Sequence, residues 1–318
     1  MKSWRFHGTH QPLTLEEVAE PHAGPGEVVV QVKAAGLCHS DVAALEDEGW
    51  MSMFPRLPMT LGHENAGVVI EVGEGMDHWK VGDRVGLSPV FADGDAIGYG
   101  QWDGGYGPQL RATDENLVRL PDTVSFELGA MATDAGLTAY HAMVTVGGAK
   151  QGMRIGVIGL GGLGYIGARA AVLKGAEVYA AEVNAETRAL ADEIGLAGVA
   201  DSITAFADKG LELIVDYAGF GTTTAQALEA LGEFGTLVQV GMGRLEATIS
   251  TKEIILKQLS VKGSKSGTKQ DLEELYDLMA SGELNPPLNR ITPAEIPDGL
   301  DRLHQGGVVG RLIAVYED

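Results

Sequence analysis

The only cysteine of the chain, Cys38, begins the Cys-His-Ser-Asp run at residues 38–41, and a Gly-His-Glu run follows at residues 62–64. Structural zinc sites usually take four Cys or His ligands, whereas catalytic zinc sites take three protein ligands and leave one position open. One Cys, one His and one carboxylate therefore indicate an open metal site. The same residues also fit a simpler interpretation, in which Cys38 is a small buried apolar residue and His63 a hydrogen-bonded core histidine.

A second group of candidate residues is the glycine run that follows an apolar strand predicted at residues 155–158. Gly159, Gly161 and Gly164 have G-x-G-x-x-G spacing, and a helix is predicted directly after them. The first glycine permits a sharp turn, the second lets the backbone approach a pyrophosphate, and the third allows close packing of helix on strand. Backbone N–H groups at the helix start then face the phosphate charge. The run predicts a dinucleotide site.

The next predicted strand ends at Glu182, at the distance expected for an acid that contacts the adenosine ribose. A carboxylate there accepts hydrogen bonds from the ribose hydroxyls and repels a 2′-phosphate, which favours NAD over NADP. Arg188 is close enough in sequence to contact a phosphate instead. In the alternative interpretation, Glu182 is a solvated strand end and the glycines only pack the helix.

The predicted secondary structure differs between the two parts of the chain in which these residues lie. Before Pro121, short strands at residues 27–33 and 66–73 alternate with Gly- and Pro-containing turns, which predicts an antiparallel, barrel-like β domain. Residues 88–107 are rich in Gly, Asp and aromatic residues and are predicted to form a long loop. From residue 126 onward, helices, strands and glycine turns alternate in the manner of βαβ units with a parallel sheet, so the fold class is α/β.

Composition narrows the possible partners. The chain has 318 residues and a formal net charge of -21, which disfavours binding to nucleic acid or to an anionic membrane. The acidic residues are spread along the chain rather than clustered, as expected if the negative charge serves only solubility. With one cysteine, no apolar run long enough to span a bilayer and no signal-peptide pattern at the N-terminus, we expect a cytoplasmic protein.

Taken together, the residues resemble the zinc-dependent alcohol dehydrogenases of the medium-chain dehydrogenase/reductase superfamily, over almost the whole chain. Besides the two runs above, matches occur in order at residues 25–28, 62–67, 81–85 and 310–311. The resemblance implies a GroES-like β-rich catalytic domain (1–140 with 286–318), a Rossmann NAD(P)-binding domain (141–285) and a cleft between them. It also implies a homodimer or a homotetramer.

The resemblance assigns roles around one zinc ion per chain. Cys38 and His63 match two ligands, and Asp134 matches the third, although a cap at a helix start is an alternative role for Asp134. Glu64 matches an acid that lies near the metal and can approach it during ligand exchange. Asp41 matches the carboxylate that orients the histidine ligand.

The resemblance also assigns residues to the substrate and the cofactor. Ser40 matches the hydroxyl that hydrogen-bonds the alcohol oxygen, so the candidate catalytic residues are Ser40, Cys38, His63, Glu64 and Asp41. Arg311 matches a contact to the cofactor pyrophosphate, with a surface ion pair as its alternative role. From the motif and the resemblance together, the candidate cofactor-binding residues are His39, Thr138, Gly159, Gly161, Gly162, Leu163, Gly164, Glu182, Arg188, Val240, Gly241, Met242 and Arg311.

Two departures from the family pattern are visible. Residues 88–107 lack the cysteines that hold a structural zinc in many members, so a second zinc is excluded there. Ala43 stands where many members have a proton-relay histidine, so the proton must leave through the ribose hydroxyl to water or through another group.

The predicted function is zinc-assisted hydride transfer between NAD(H) and an apolar alcohol or carbonyl compound. The apolar residues 50–54 line the substrate pocket or pack in the core. Reduction of an activated C=C bond, as in an enone reductase or a reductive cyclase of the same superfamily, is the alternative activity. A non-catalytic protein on the same scaffold is a further alternative.

Overall fold

The computed structural model describes residues 1–317, which divide into two compact units. Unit 1 combines Met1–Ala135 with the chain from Leu272 onward, and unit 2 is Gly136–Asp271. The sequence predicted divisions after residues 140 and 285. The second division comes earlier because the helix Lys269–Ala280 packs mainly in unit 1, where the Tyr276 hydroxyl donates to the carbonyl of Gly129 (3.0 Å).

The strands are numbered along the chain. They are β1 (Lys2–Arg5), β2 (Thr14–Glu17), β3 (Glu27–Gly36), β4 (Glu64–Val72), β5 (Arg84–Leu87), β6 (Gln109–Thr113), β7 (Leu117–Arg119), β8 (Arg154–Ile158), β9 (Glu177–Ala181), β10 (Gly198–Ala200), β11 (Leu211–Asp216), β12 (Leu231–Gln239), β13 (Ser260–Gly263), β14 (Leu288–Ile291) and β15 (Arg311–Val315).

The α-helices are numbered in the same way. They are α1 (His39–Glu46), α2 (Phe126–Met131), α3 (Leu137–Tyr140), α4 (Gly162–Leu173), α5 (Ala185–Arg188), α6 (Ala191–Ile194), α7 (Thr222–Ala230), α8 (Thr251–Lys257), α9 (Lys269–Ala280) and α10 (Ile296–Gln305). Short 3₁₀ helices are at Glu48–Met53, Ile203–Lys209 and Pro293–Glu295, and π-helical turns are at Ala132–Gly136 and His141–Val146. In the described residues, none of the helices is long and apolar enough to cross a membrane.

Unit 1 is built on a seven-stranded sheet in the order β14-β15-β3-β4-β5-β7, with β6 also paired to β3. Its central strand β3 contains Val28, Val29, Val30 and Val32, which are buried on both faces of the strand. The pairs are antiparallel except for β14 with β15, which are parallel. The antiparallel pairing predicted for the strands before Pro121 is therefore confirmed, and the parallel pair lies in the C-terminal part of the chain. The helix α10 lies in the connection between β14 and β15, so the two strands form a βαβ crossover and run in the same direction.

Unit 2 contains a six-stranded parallel sheet in the order β10-β9-β8-β11-β12-β13. This is the 3-2-1-4-5-6 order of the doubly wound Rossmann fold, in which ligands bind beyond the carboxyl ends of the strands where the order reverses. The reversal lies between β8 and β11. The predicted α/β class and parallel sheet are confirmed. The alternation of strands and helices in the sequence predicts one helix at residues 185–194, and the structure forms two short helices there, α5 and α6.

Residues 126–146 have helical spacing in the sequence, but the helix is interrupted by a π-helical turn at Ala132–Gly136 and ends in a second one at His141–Val146. A π-turn inserts one extra residue into the helical repeat and rotates the side chains that follow. The first of these turns, Ala132–Gly136, contains Asp134. The irregularity therefore falls on a predicted metal ligand.

Candidate active site

Cys38 lies at the junction between β3 and α1 and is the N-cap residue of that helix. Its backbone N–H donates to Oδ2 of Asp41 (3.1 Å), which closes a capping box at the helix start. The buried Sγ atom lies 3.5 Å from Oδ2 of Asp134 and 3.6 Å from Oγ of Ser40. The first turn of α1 therefore brings the thiol and the candidate substrate-binding hydroxyl to one place.

His63 immediately precedes β4 and is buried. Its Nε2 lies 3.2 Å from Oδ2 of Asp134, and its Nδ1 lies 3.3 Å from Oδ1 of Asp41. The alignment at Nδ1 falls short of a hydrogen bond. Burial lowers the pKa of His63, but the two carboxylates outweigh it and raise the pKa well above its ordinary value.

Asp134 is placed by its helical neighbour as well as by the π-turn. The Thr133 hydroxyl donates to the carbonyl of Ala130 (2.7 Å) and accepts from the backbone N–H of Asn65 (3.1 Å), which ties the turn to the start of β4. The helix-cap role considered for Asp134 is wrong, because Ser125 caps the helix start through Leu128 N–H. Burial raises the pKa of Asp134, yet the His63 and Arg311 charges lower it overall.

Four side chains bring their ligand atoms within 4.8 Å of one another: Cys38, His63, Glu64 and Asp134. Ligand atoms bonded to a tetrahedral zinc at about 2.0–2.3 Å lie roughly 3.3–3.8 Å apart. The distances from Asp134 Oδ2 to the thiol and to the imidazole, 3.5 and 3.2 Å, are close to that range. The residues thus fit a zinc ion in both donor chemistry and spacing.

Glu64 faces Arg311, which begins β15 and is only 4% exposed. Arg311 Nε donates to Glu64 Oε2 (3.0 Å), and Nη2 contacts Oε1, in a two-point pair. A side chain on Gly36 would overlap the Glu64 carboxylate, so glycine makes the room for it. Burial raises the pKa of Glu64 to about 8, against the opposing effect of Arg311. The surface ion pair considered for Arg311 is wrong, because the pair is buried.

Asp41 is fully buried, and its contacts include two residues that the sequence analysis missed. The Tyr106 hydroxyl donates to Asp41 Oδ2 (2.8 Å), and the Tyr99 hydroxyl donates to Oδ1 (3.3 Å). Burial and the nearby Asp41 raise the pKa of both tyrosines well above 10, so both keep the proton that they donate. Only the aromatic content of the predicted loop at residues 88–107 hinted at them.

The predicted cofactor loop has the backbone geometry that its glycines imply. Gly159 adopts a left-handed conformation (φ +83°) after β8, and α4 begins at Gly162 with Leu163 and Gly164 in its first turn. An added Cβ on Gly164 would lie 2.7 Å from the carbonyl carbon of Gly159, whereas nothing lies within 4 Å of an added Cβ on Gly161. The loop is therefore tightly packed at Gly164 and open at Gly161.

Glu182 holds this loop from the end of the neighbouring strand. Its Oε2 accepts from the backbone N–H of Leu160 (2.8 Å), and its Oε1 accepts from that of Asn184 (2.8 Å). Arg188 Nη1 donates to the carbonyls of Glu182 (2.7 Å) and Val183 (3.2 Å) and contacts Asp201. The acid and the arginine predicted from the sequence thus lie side by side at the end of β9.

The remaining cofactor candidates are distributed over both units. Thr138 is half-buried on α3, and Val240, Gly241 and Met242 follow β12, with Met242 exposed. These residues belong to unit 2, together with the glycine loop. His39 is exposed on α1, in unit 1, and is hydrogen-bonded to the backbone of Leu303.

The apolar residues 50–54 divide between the core and the surface. Phe54 is buried, with ring centroids 4.9 Å from Phe6 and 5.3 Å from Tyr99. Trp50 is half-buried, 6.3 Å from the Tyr99 ring, and Met53 is exposed. Core packing therefore accounts for Phe54, and both the Phe54 and the Trp50 rings adjoin Tyr99, the aromatic residue next to His63.

Comparison with known proteins identifies the family. Residues 24–122 match the family model of the alcohol dehydrogenase GroES-like domain, and residues 162–281 match that of the zinc-binding dehydrogenases. An alcohol dehydrogenase from Geobacillus stearothermophilus is 32% identical over 337 residues, which cover 98% of each chain.

Two solved structures agree with this family assignment. The alcohol dehydrogenase of the hyperthermophilic archaeon Aeropyrum pernix is 30% identical, with a TM-score of 0.91 over 99% of this chain and 100% of that one. The acetophenone reductase from Geotrichum candidum NBRC 4597, in complex with NAD, is 28% identical, with a TM-score of 0.89 over 99% of this chain and 97% of that one. The chain is therefore an oxidoreductase that belongs to the zinc-dependent alcohol dehydrogenase family of the medium-chain dehydrogenase/reductase superfamily.

Proposed function

We propose that this enzyme transfers a hydride between NAD(H) and an apolar alcohol or ketone, with one zinc ion per chain held by Cys38, His63 and Asp134. The observation that carries the proposal is the meeting of a thiol, an imidazole and a carboxylate from three distant segments of unit 1. Three protein ligands leave a position for the substrate oxygen, as catalytic zinc sites do. Glu64 is a candidate fourth ligand during exchange, and Arg311 holds it in the resting arrangement.

A zinc ion bound there would act as a Lewis acid toward the substrate oxygen, and the nicotinamide would supply the hydride chemistry. The protein's own contribution is positioning and proton transfer. Ser40 Oγ, 3.6 Å from the Cys38 thiol, is close enough to the site to hydrogen-bond the substrate oxygen and to move its proton. Asp41 orients His63 through Nδ1.

The preference for NAD is supported by charges at the end of β9. The Glu182 carboxylate lies where the adenosine ribose is expected, and it would repel a 2′-phosphate. Arg188, the cation that could bind such a phosphate, contacts the carboxylate of Asp201 and two backbone carbonyls. Both features favour the cofactor without the extra phosphate.

An apolar substrate is supported by the aromatic side chains next to His63. The Tyr99 ring lies 5.0 Å from the His63 ring, and Phe54 and Trp50 extend the apolar surface from it. Among the similar proteins, one is named for its action on acetophenone, an aryl ketone. The alternative C=C reductase activity leaves the ligand set without a role, and the three relatives described above are named as two alcohol dehydrogenases and a ketone reductase.

The test uses the intact enzyme, stripped of metal with a chelator and then given one equivalent of zinc. NADH consumption is followed with an aryl ketone and with an enone, and the products are identified by mass spectrometry. We expect zinc to restore activity, the C=O bond to be reduced, and NADH to be preferred to NADPH. Reduction of the enone C=C bond by metal-free protein would instead establish the alternative activity.

A variant pair tests the ligand assignment. Asp134→Ala should lose both zinc and turnover, whereas Asp122→Ala, which removes an exposed aspartate of the same unit, should retain both. Full activity and normal zinc content in Asp134→Ala would refute the assignment.

A further inference from the structure

The buried carboxylate of Asp41 is held by neutral donors on both of its oxygens. Oδ2 accepts from the Tyr106 hydroxyl (2.8 Å) and from the backbone N–H of Cys38 (3.1 Å), and Oδ1 accepts from the Tyr99 hydroxyl (3.3 Å). The remaining neighbour is the Nδ1 atom of His63, 3.3 Å from Oδ1. The orientation of this carboxylate is thus set by two tyrosines and the first turn of α1.

Both tyrosines are themselves fixed. Tyr106 is 1% exposed, and its ring packs so closely on the backbone before His63 that a Cβ on Gly62 would lie 2.5 Å from it. Tyr99 is buried between Phe54, at a centroid distance of 5.3 Å, and the edge of the His63 ring, at 5.0 Å. Neither hydroxyl oxygen can move away from Asp41 without displacement of its ring from a packed core.

A metal-bound histidine needs a partner on its second nitrogen, because that partner sets the tautomer and the plane of the ring. In His63, Nδ1 has the Asp41 carboxylate as its neighbour, and Nε2 faces the Asp134 carboxylate. If the Asp41 carboxylate rotates, the imidazole loses the group that directs Nε2 toward the other ligand atoms. The placement of the ligand therefore depends on what holds Asp41.

We propose that Tyr99 and Tyr106 are positioning residues of the zinc centre, which act through Asp41 on the orientation of His63. The proposal rests on the proposed function only in that zinc binds at this site. Residues 88–107 thereby have a defined task, since they carry the two hydroxyls that hold the carboxylate behind the histidine. Hydrogen bonds to a carboxylate are about twice as strong as those between neutral groups, so the loss of one matters.

The test measures zinc affinity and the cobalt spectrum of metal-free protein, and neither requires turnover. Tyr106→Phe, Tyr99→Phe and the double variant are titrated with zinc against a chromogenic chelator. The matched control is Tyr276→Phe, which also loses a buried hydroxyl of unit 1, but one that donates to the Gly129 carbonyl. Circular dichroism and NADH titration verify that each variant is folded.

We expect Tyr106→Phe to weaken zinc binding about 10-fold and the double variant to weaken it toward about 100-fold, the range found for outer-shell partners of metal ligands. The visible absorption of the Co²⁺-substituted variants should shift, because the histidine ligand is reoriented. Tyr276→Phe should match the wild type in both measurements. Tyr99→Phe supplies the same comparison if Tyr106→Phe does not fold.

A double-variant cycle tests whether the tyrosines act through Asp41. In an Asp41→Asn background, Tyr106→Phe should weaken zinc binding by less than 2-fold further, since the side chain at position 41, to which the Tyr106 hydroxyl donates, no longer carries a charge. Wild-type zinc affinity in both tyrosine variants, or full additivity with Asp41→Asn, would overturn the inference while leaving the zinc site intact. Failure of the wild type and Tyr276→Phe to bind zinc would overturn the proposed function as well.

Discussion

Alanine substitution at two glycines of the cofactor loop should separate the packing role of the loop from its binding role. An added Cβ on Gly164 would lie 2.7 Å from the carbonyl carbon of Gly159, and closer still to its oxygen. To restore an ordinary van der Waals distance of 3.4 Å between this Cβ and the carbonyl carbon, α4 and the end of β8 must move apart by at least 0.7 Å. Because both partners are backbone, we expect Gly164→Ala to cost about 3 kcal/mol, the upper end for overpacking.

Gly161→Ala is the matched variant with the opposite expectation. The Gly161 backbone has φ -63°, and nothing lies within 4 Å of an added Cβ, so the unfolding free energy should change by less than about 0.5 kcal/mol. The new methyl group would occupy the space into which the pyrophosphate must fit. The dissociation constant for NADH should therefore rise at least about 10-fold, or 1.4 kcal/mol.

Urea unfolding of the intact chain gives the stabilities, and NADH fluorescence titration gives the affinities. The expected pattern is a destabilised Gly164→Ala and a normally stable Gly161→Ala that binds NADH poorly. Wild-type NADH affinity in Gly161→Ala would refute the placement of the pyrophosphate over this glycine. Wild-type stability in Gly164→Ala would refute the packing argument.

Three further predictions concern single side chains. In metal-free protein at pH 9, where the Glu64 carboxyl is ionised, Arg311→Met should lower the free energy of unfolding by about 3–5 kcal/mol, because the buried carboxylate loses its partner, and adding Glu64→Gln should recover most of it in urea titrations. Burial alone would raise the pKa of the Asp271 carboxyl, but hydrogen bonds from its neighbours lower it overall. The stability that these hydrogen bonds add is present above the unfolded-state pKa of about 3.9, and it is lost as the pH falls through the lower pKa of the folded state. Asp271→Asn should therefore destabilise the protein more at pH 7 than at pH 3. Ser40→Ala should reduce kcat about 100-fold or more without changing NADH affinity, as measured by stopped-flow kinetics and titration.

The cofactor loop could be predicted from the sequence because all of its determinants are local. The buried strand, the three glycines and the following helix occupy one continuous stretch of chain, and each has its own pattern. The acid at the end of β9 follows at a spacing that the βαβ unit dictates. The parallel order of the six strands then follows from the alternation of strands and helices.

The candidate zinc site could not be derived in the same way, since its residues are far apart in the chain. Cys38 and Asp134 are 96 residues apart, and Glu64 and Arg311 are 247 apart, so only resemblance to a family brought them together before the structure. The π-turn around Asp134 has no sequence pattern of its own, because residues 126–146 retain helical spacing throughout. Tyr99 and Tyr106 were missed because a loop without periodicity does not indicate which side chains point inward.

X-ray absorption at the zinc edge, on protein purified without added metal, would show whether Cys38, His63 and Asp134 hold a zinc ion. We expect one zinc per chain with one sulfur at about 2.3 Å and nitrogen or oxygen ligands at about 2.0–2.2 Å. The sulfur contribution must come from Cys38, the only cysteine, and should vanish in Cys38→Ser. A chain without zinc, or a zinc ion surrounded only by nitrogen and oxygen in the wild type, would show that Cys38 is not a zinc ligand.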